Sequence, residues 1–261
     1  MGSQVDSATK PTILIVPGSF SPPSMYQSIL DDLKSAGYEA IAIYLPTVGD
    51  AQKASGISLA DDAAGIQAVL IKLVDEEGKD VILVTHSYGG IAGGEGAKGF
   101  AKTEREARGR KGGIVRLLYV TALIARVGES LKDTMKDCPK LDNVVVNGDH
   151  MTLDPIPNTR TLFTDLPLEE GLKWVAEMPG HSAISFDHPA TYPAYKHIPM
   201  TYMLCEGDLV IPAEVQRSMV EMVEKESGRK VDVHSVPAGH VPNVTMPEAV
   251  VKTIRSAAGE R

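Results

Sequence analysis

Short apolar runs alternate along this chain with longer segments in which apolar residues recur every three or four positions. The runs at residues 12–16, 40–45, 81–84, 115–121, 200–205 and 231–236 are rich in aliphatic and β-branched residues, and most lack the apolar–polar alternation of a half-exposed strand. Strands buried on both faces, as in a parallel sheet, are the prediction. Between them, Leu59, Ala63, Ile66, Leu70 and Leu73 fall on one helical face behind Ser58, a residue type that caps helix N-termini, and the pattern ends near Gly78. Helical spacing also fits 24–36 before Gly37, 213–225 before Gly228, and 247–257. Strands alternating with helices predict an α/β fold whose mostly parallel central sheet has helices on both faces.

From 125 to 198 the rhythm fails. No strand is evident there, Pro, Asp, Asn and His accumulate among scattered apolar residues, and only 168–178, with Leu172, Trp174 and Val175, reads as a short helix. We read this stretch as a small cap inserted into one α/β core formed by 1–124 and 199–261, a length ordinary for a single unit of this class.

Composition removes several function classes. The chain has 26 Lys and Arg against 34 Asp and Glu, a formal net charge of -8, so a nucleic-acid partner is not expected. No apolar run approaches the roughly 20 residues that cross a bilayer, so no membrane partner is expected either. Cys138 and Cys205 are too few and too isolated for a disulfide framework or a zinc site, and the start lacks a charged segment followed by an apolar one; a cytoplasmic setting is the expectation. Met1-Gly2-Ser3 looks like a myristoylation start, but Asp6 stands where Ser or Thr is needed. Residues 94–99 spell G-x-G-x-x-G, yet they fall inside a helix rather than at a strand-to-helix turn, which points to close packing. No metal, nucleotide or other cofactor is expected.

The chemistry gathers after four of the predicted strands. Behind 81–84 comes Thr85-His86-Ser87-Tyr88-Gly89-Gly90, then mostly small residues as far as Gly99, the pattern of a nucleophile elbow in which a strained turn raises a serine hydroxyl above the sheet. Thr85 departs from G-x-S-x-G at its first position. A serine hydroxyl needs a base, and the base needs an orienting carboxylate. Asp208 follows the strand at 200–205, with Glu206 as the rival acid, and His240 alone among seven histidines follows the last strand. Two backbone N–H groups must meet the charge that develops on the carbonyl oxygen; Tyr88 and Ser19, the latter after Gly18 in the first-strand loop, are placed to supply them. Parallel strands put all four loops on one sheet edge.

With these positions in place, residues 12–255 resemble the α/β-hydrolase superfamily. Residues 14–46, 85–90, 204–212 and 239–247 are similar to the plant methylesterase and hydroxynitrile lyase-like group and its fungal hydrolase relatives. The resemblance implies Ser87 as nucleophile, His240 as base, Asp208 as orienting acid, Ser19 and Tyr88 as oxyanion hole, a compact cap and no cofactor. Lyases of that group carry Thr in the first-strand loop and Lys after the histidine; Gly18 and Val241 stand there instead, which favours hydrolysis. The expected activity is that of a serine esterase cleaving a small carboxylic ester, lactone or thioester through an acyl-serine. A receptor-like member with little turnover, or a lyase or carbon–carbon bond hydrolase with the same triad, is the alternative. Gly18, Phe163, Trp174, Met178 and His181 are candidates for substrate contact, the last four equally readable as packing, and a homodimer stays open.

Overall fold

The six apolar runs pair into one sheet in the computed structural model, which describes residues 10–140 and 143–260. The amino-terminal positions weighed for lipidation, Gly2 and Asp6, lie outside the described residues. In chain order the core begins β1 (Thr12–Val16), α1 (Gln27–Ser35), β2 (Ala40–Ala42), α2 (Leu59–Leu70), β3 (Asp80–His86), α3 (Gly89–Gly96) and β4 (Gly113–Val120). The next segment holds β5 (Val144–Asn147), β6 (His150–Leu153), α4 (Pro155–Leu162), α5 (Leu168–Ala176) and β7 (His181–Ser182). The chain then returns through β8 (Met200–Cys205), α6 (Ala213–Ser227), β9 (Asp232–Val236) and α7 (Pro247–Ala257), with short helical turns between.

Strand order is β2-β1-β3-β4-β8-β9, and every neighbouring pair is parallel. Successive residues of β1 enter opposite apolar layers: Leu14 and Val16 pack with Ile66 and Leu70 of α2, Ile91 of α3 and Val223 of α6. Ile13 and Ile15 pack with Ile29 and Leu33 of α1 and Ile254 of α7. Burial on both faces is why these runs read as continuously apolar. β2 stops at Ala42, short of the expected 45, because this edge strand pairs only with Ile13 to Ile15 of β1.

The expectation of no strand within 125–198 is overturned. β5 and β6 form an antiparallel hairpin around Gly148 and Asp149, and β7 adds to β6, making a three-stranded sheet. Gly148-Asp149, with φ of +59° at the glycine, is a two-residue hairpin signal flanked by Val144–Asn147 and His150–Leu153. Among the described residues no helix is long and apolar enough to cross a membrane.

Candidate active site

The turn between β3 and α3 consists of Ser87 and Tyr88 alone, and Ser87 adopts φ of +52°. For a residue bearing a Cβ this left-handed conformation costs about 1–2 kcal/mol, so the surroundings must enforce it. They do so by close approach. Any Cβ on Gly89 would collide with the carbonyl oxygens of Val16 and Pro17, so only glycine lets the helix start lie against the first-strand loop. Thr85 fits where glycine is common because Gly93 faces it: a Cβ there would come within 2.6 Å of the Thr85 methyl. Of the G-x-G-x-x-G glycines only Gly96 has the close-packing explanation expected, since a Cβ there would press into Ile66 of α2; the helix ends at Gly96, and Gly99 lies beyond it at φ of +86° with open space where a Cβ would be.

Ser87, His240 and Asp208 converge although up to 153 positions separate them. His240 Nε2 lies 3.0 Å from Ser87 Oγ, and His240 Nδ1 lies 2.7 Å from Asp208 Oδ2. All three are buried, at 8%, 4% and 3% exposure respectively. Thr121 Oγ1 also donates to Asp208 Oδ2, and the amides of Val210 and Ile211 donate to Oδ1 at 2.7 and 2.9 Å. Burial acts to raise the Asp208 pKa, but the His240 charge and hydrogen bond, the Thr121 hydroxyl and the Ile211 amide outweigh it and hold the carboxyl below its ordinary value. The rival Glu206 turns away to the surface, accepting from Arg217 at 2.6 and 2.7 Å and from Ser235 at 2.5 Å. An acid and a base thus meet the serine in the sense that proton transfer requires: carboxylate to Nδ1–H, Nε2 lone pair to hydroxyl.

The first-strand loop lies against the serine. A Cβ on Gly18 would sit 3.1 Å from Ser87 Cβ. Among the described residues, neither the Ser19 N–H nor the Tyr88 N–H donates to another group of the protein. Tyr88 points its ring away from the serine: its hydroxyl donates to buried Asp62 at 2.6 Å, and Thr47 donates to the same carboxylate through both hydroxyl and amide. Burial pushes Asp62 up to about 6 despite these three donors.

A cavity of about 70 Å³ opens over Ser87, and Gly18, Ser19 and Met178 are on its wall. Leu123, Leu131, Leu162, Phe186 and Ile211 make most of the remainder apolar, Asn143, Asn158 and Thr161 add polar groups to the lining, and among the described residues no Asp, Glu, Lys or Arg lines it. Three positions expected at the substrate are placed elsewhere. Phe163 is 1% exposed inside the apolar layer, and Trp174 packs onto the same layer from α5. His181 is fully buried, with its ring centroid 5.3, 5.0 and 5.2 Å from those of Phe20, Tyr88 and Phe186, and its Nε2 donates to Ser185 at 2.9 Å. Apolar residues at helical spacing look alike in sequence whether they face a cavity or a neighbouring helix. Thr121, Asp62 and Tyr26, which hold the site from behind, carry no local motif and were not anticipated.

Comparison with known proteins agrees with this architecture. A probable hydrolase from Phoma sp. is 33% identical over 251 residues, covering 96% of this chain and 99% of the relative. Polyneuridine aldehyde esterase superposes with a TM-score of 0.74 at 19% identity, covering 96% of this chain and 100% of that one. A methylesterase from Arabidopsis superposes with a TM-score of 0.68 at 16% identity, covering 95% and 99%. The model of the alpha/beta hydrolase family matches residues 13–253, and this chain belongs to that family.

Proposed function

We propose that the protein is a serine esterase that cleaves a small, uncharged carboxylic ester, or the corresponding lactone or thioester, through an acyl-Ser87 intermediate. The observation that carries this reading is the buried relay from Asp208 through His240 to Ser87, with the two distances of 2.7 and 3.0 Å. In the reaction, His240 Nε2 takes the Ser87 proton as Oγ attacks the carbonyl carbon. The negative charge that develops on the carbonyl oxygen is met by the Ser19 and Tyr88 amides. Collapse expels the alcohol, which receives the proton from His240, and water activated by the same nitrogen then releases the acid. Asp208, kept ionised by its donors, balances the positive charge His240 acquires in both steps.

Substrate neutrality follows from the wall. An ionised group brought into this lining would lose its hydration and, among the described residues, meet no Asp, Glu, Lys or Arg of opposite charge, at a cost of several kcal/mol. Residues 125–198 act in this reading as a cap, since Leu131, Met135, Val144, Leu162 and Met178 all come from them. The esterase and methylesterase names of the structural neighbours are consistent with ester cleavage. Gly18 and Val241 stand in place of the Thr and Lys of the related lyases, so the lysine that would meet a departing cyanide is not supplied at position 241.

The test is a panel of methyl, acetyl and aryl esters and lactones assayed with wild type and Ser87→Ala. The reading expects turnover of uncharged esters with an alcohol and an acid as products, abolished in the variant. Turnover that survives in Ser87→Ala, or carbonyl products from a cyanohydrin, would overturn it.

A further inference from the structure

His86 and Tyr26 take no direct part in the reaction just described, yet both are almost completely buried beside it. His86 Nε2 lies 2.7 Å from the main-chain carbonyl of His240, and His86 Nδ1 lies 2.8 Å from the Tyr26 hydroxyl. The Gly18 N–H donates to that same hydroxyl at 3.3 Å. A carbonyl oxygen can only accept, so the His86 proton is on Nε2. Nδ1 is then a bare lone pair, and the Tyr26 hydroxyl must donate to it. Every donor in the chain points one way: Gly18 N–H to Tyr26 Oη, Tyr26 O–H to His86 Nδ1, His86 Nε2–H to the His240 carbonyl. This chain ties together three places: the loop before Ser19, the residue preceding Ser87, and the backbone of the base.

We propose that Tyr26 and His86 are positioning residues that lock the oxyanion loop, the nucleophile turn and the His240 loop in one register. The inference rests on the acyl-Ser87 reading. Each of the three loops leaves a different strand, so the sheet alone does not set their spacing at the tolerance that the reaction demands; a displacement of about 1 Å at a reacting atom costs on the order of a hundredfold in rate. His86 is suited to the task because it stays neutral: burial, then the His240 charge, push its pKa down to about 3. The two imidazoles are 5.3 Å apart, so a charged His86 would oppose the positive charge that His240 must take up in the transition state. The ring therefore acts as a fixed strut and not as a second base.

Tyr26→Phe keeps the ring and removes the hydroxyl that joins Gly18 to His86. The expected result is a loss of about 10- to 100-fold in kcat with KM changed less than about threefold, and a proportionate slowing of Ser87 phosphonylation by a fluorophosphonate. His86→Gln, whose amide nitrogen can reach the His240 carbonyl, is expected to retain more activity than His86→Phe, which can donate to nothing. Because one chain is being cut, Tyr26→Phe combined with His86→Gln is expected to be scarcely worse than the poorer single variant. Wild-type kcat in Tyr26→Phe, or losses that multiply in the double variant, would overturn the proposal even where His86→Phe fails to fold. Ser87→Ala separates the two levels: if it stays active the esterase reading falls, whereas an inactive Ser87→Ala beside a fully active Tyr26→Phe removes only the strut.

Discussion

Replacing Asp208 by Asn changes one atom and should nearly abolish turnover while leaving the protein folded. Asp208 Oδ1 accepts two amides, from Val210 at 2.7 Å and Ile211 at 2.9 Å, whereas Oδ2 faces His240 Nδ1 and the Thr121 hydroxyl. An asparagine must keep its carbonyl oxygen toward the two amides, because the opposite orientation would set an NH₂ group against two N–H donors. Its amide nitrogen then donates to His240 Nδ1, which drives the imidazole proton onto Nε2. That proton now points at Ser87 Oγ, 3.0 Å away, and the lone pair needed to accept the serine proton is gone. The expected loss in kcat is about 10⁴-fold, equivalent to about 5.4 kcal/mol of transition-state stabilisation. Stability should move little, by roughly 2 kcal/mol or less, since the amide contacts survive and a buried charge is removed along with its partner's attraction. Steady-state kinetics on any ester turned over, together with thermal melts, measure both quantities. A kcat within tenfold of wild type in a folded Asp208→Asn protein would refute the tautomer argument and with it the role assigned to Asp208.

Glu206→Gln is expected to leave kcat within about threefold, because that carboxylate pairs with Arg217 and Ser235 at the surface and does not approach His240; a dead variant would reverse the choice of acid. Gly89→Ala forces a methyl against the Val16 and Pro17 carbonyls, so thermal melts should show a loss of about 1–3 kcal/mol, and kcat should fall at least about tenfold as Ser19 is displaced. Asp62 has a folded pKa raised by burial from 3.8 to about 6, so its contribution is fully present below about pH 4 and is lost as pH rises through 6. The sign follows from proton uptake, because between these values the folded state holds the proton that the unfolded chain has released. Wild type should therefore lose up to about 3 kcal/mol relative to Asp62→Asn between pH 4 and pH 7 in urea titrations, and a stability difference that does not change with pH would contradict this.

Much of the fold was legible because the strands are buried on two sides, and that leaves continuous apolar runs such as Ile13 to Val16. The four loops that carry Ser19, Ser87, Asp208 and His240 were legible for a related reason: in a parallel sheet, the position after a strand's end is a position on one edge. What escaped was decided at a distance. The Val144–Val146 run looked irregular because its hairpin is exposed to solvent, with Val145 and Val146 both more than half accessible, so no buried face imposed alternation. Phe163, Trp174 and His181 are apolar or aromatic residues whose direction depends on packing between the 125–198 segment and the core, which no local pattern records. Thr121 and Asp62 are an ordinary strand-end threonine and an ordinary helix aspartate until the folded chain brings Asp208 and Tyr88 to them.

The most direct measurement is the intact mass and peptide map of the protein after reaction with a fluorophosphonate. One phosphonyl group on Ser87, absent in Ser87→Ala and formed at least about a hundredfold more slowly in His240→Ala, is the expected outcome. An unlabelled protein, a label on another side chain, or a labelling rate indifferent to His240 would contradict the assignment of Ser87 as a base-activated nucleophile.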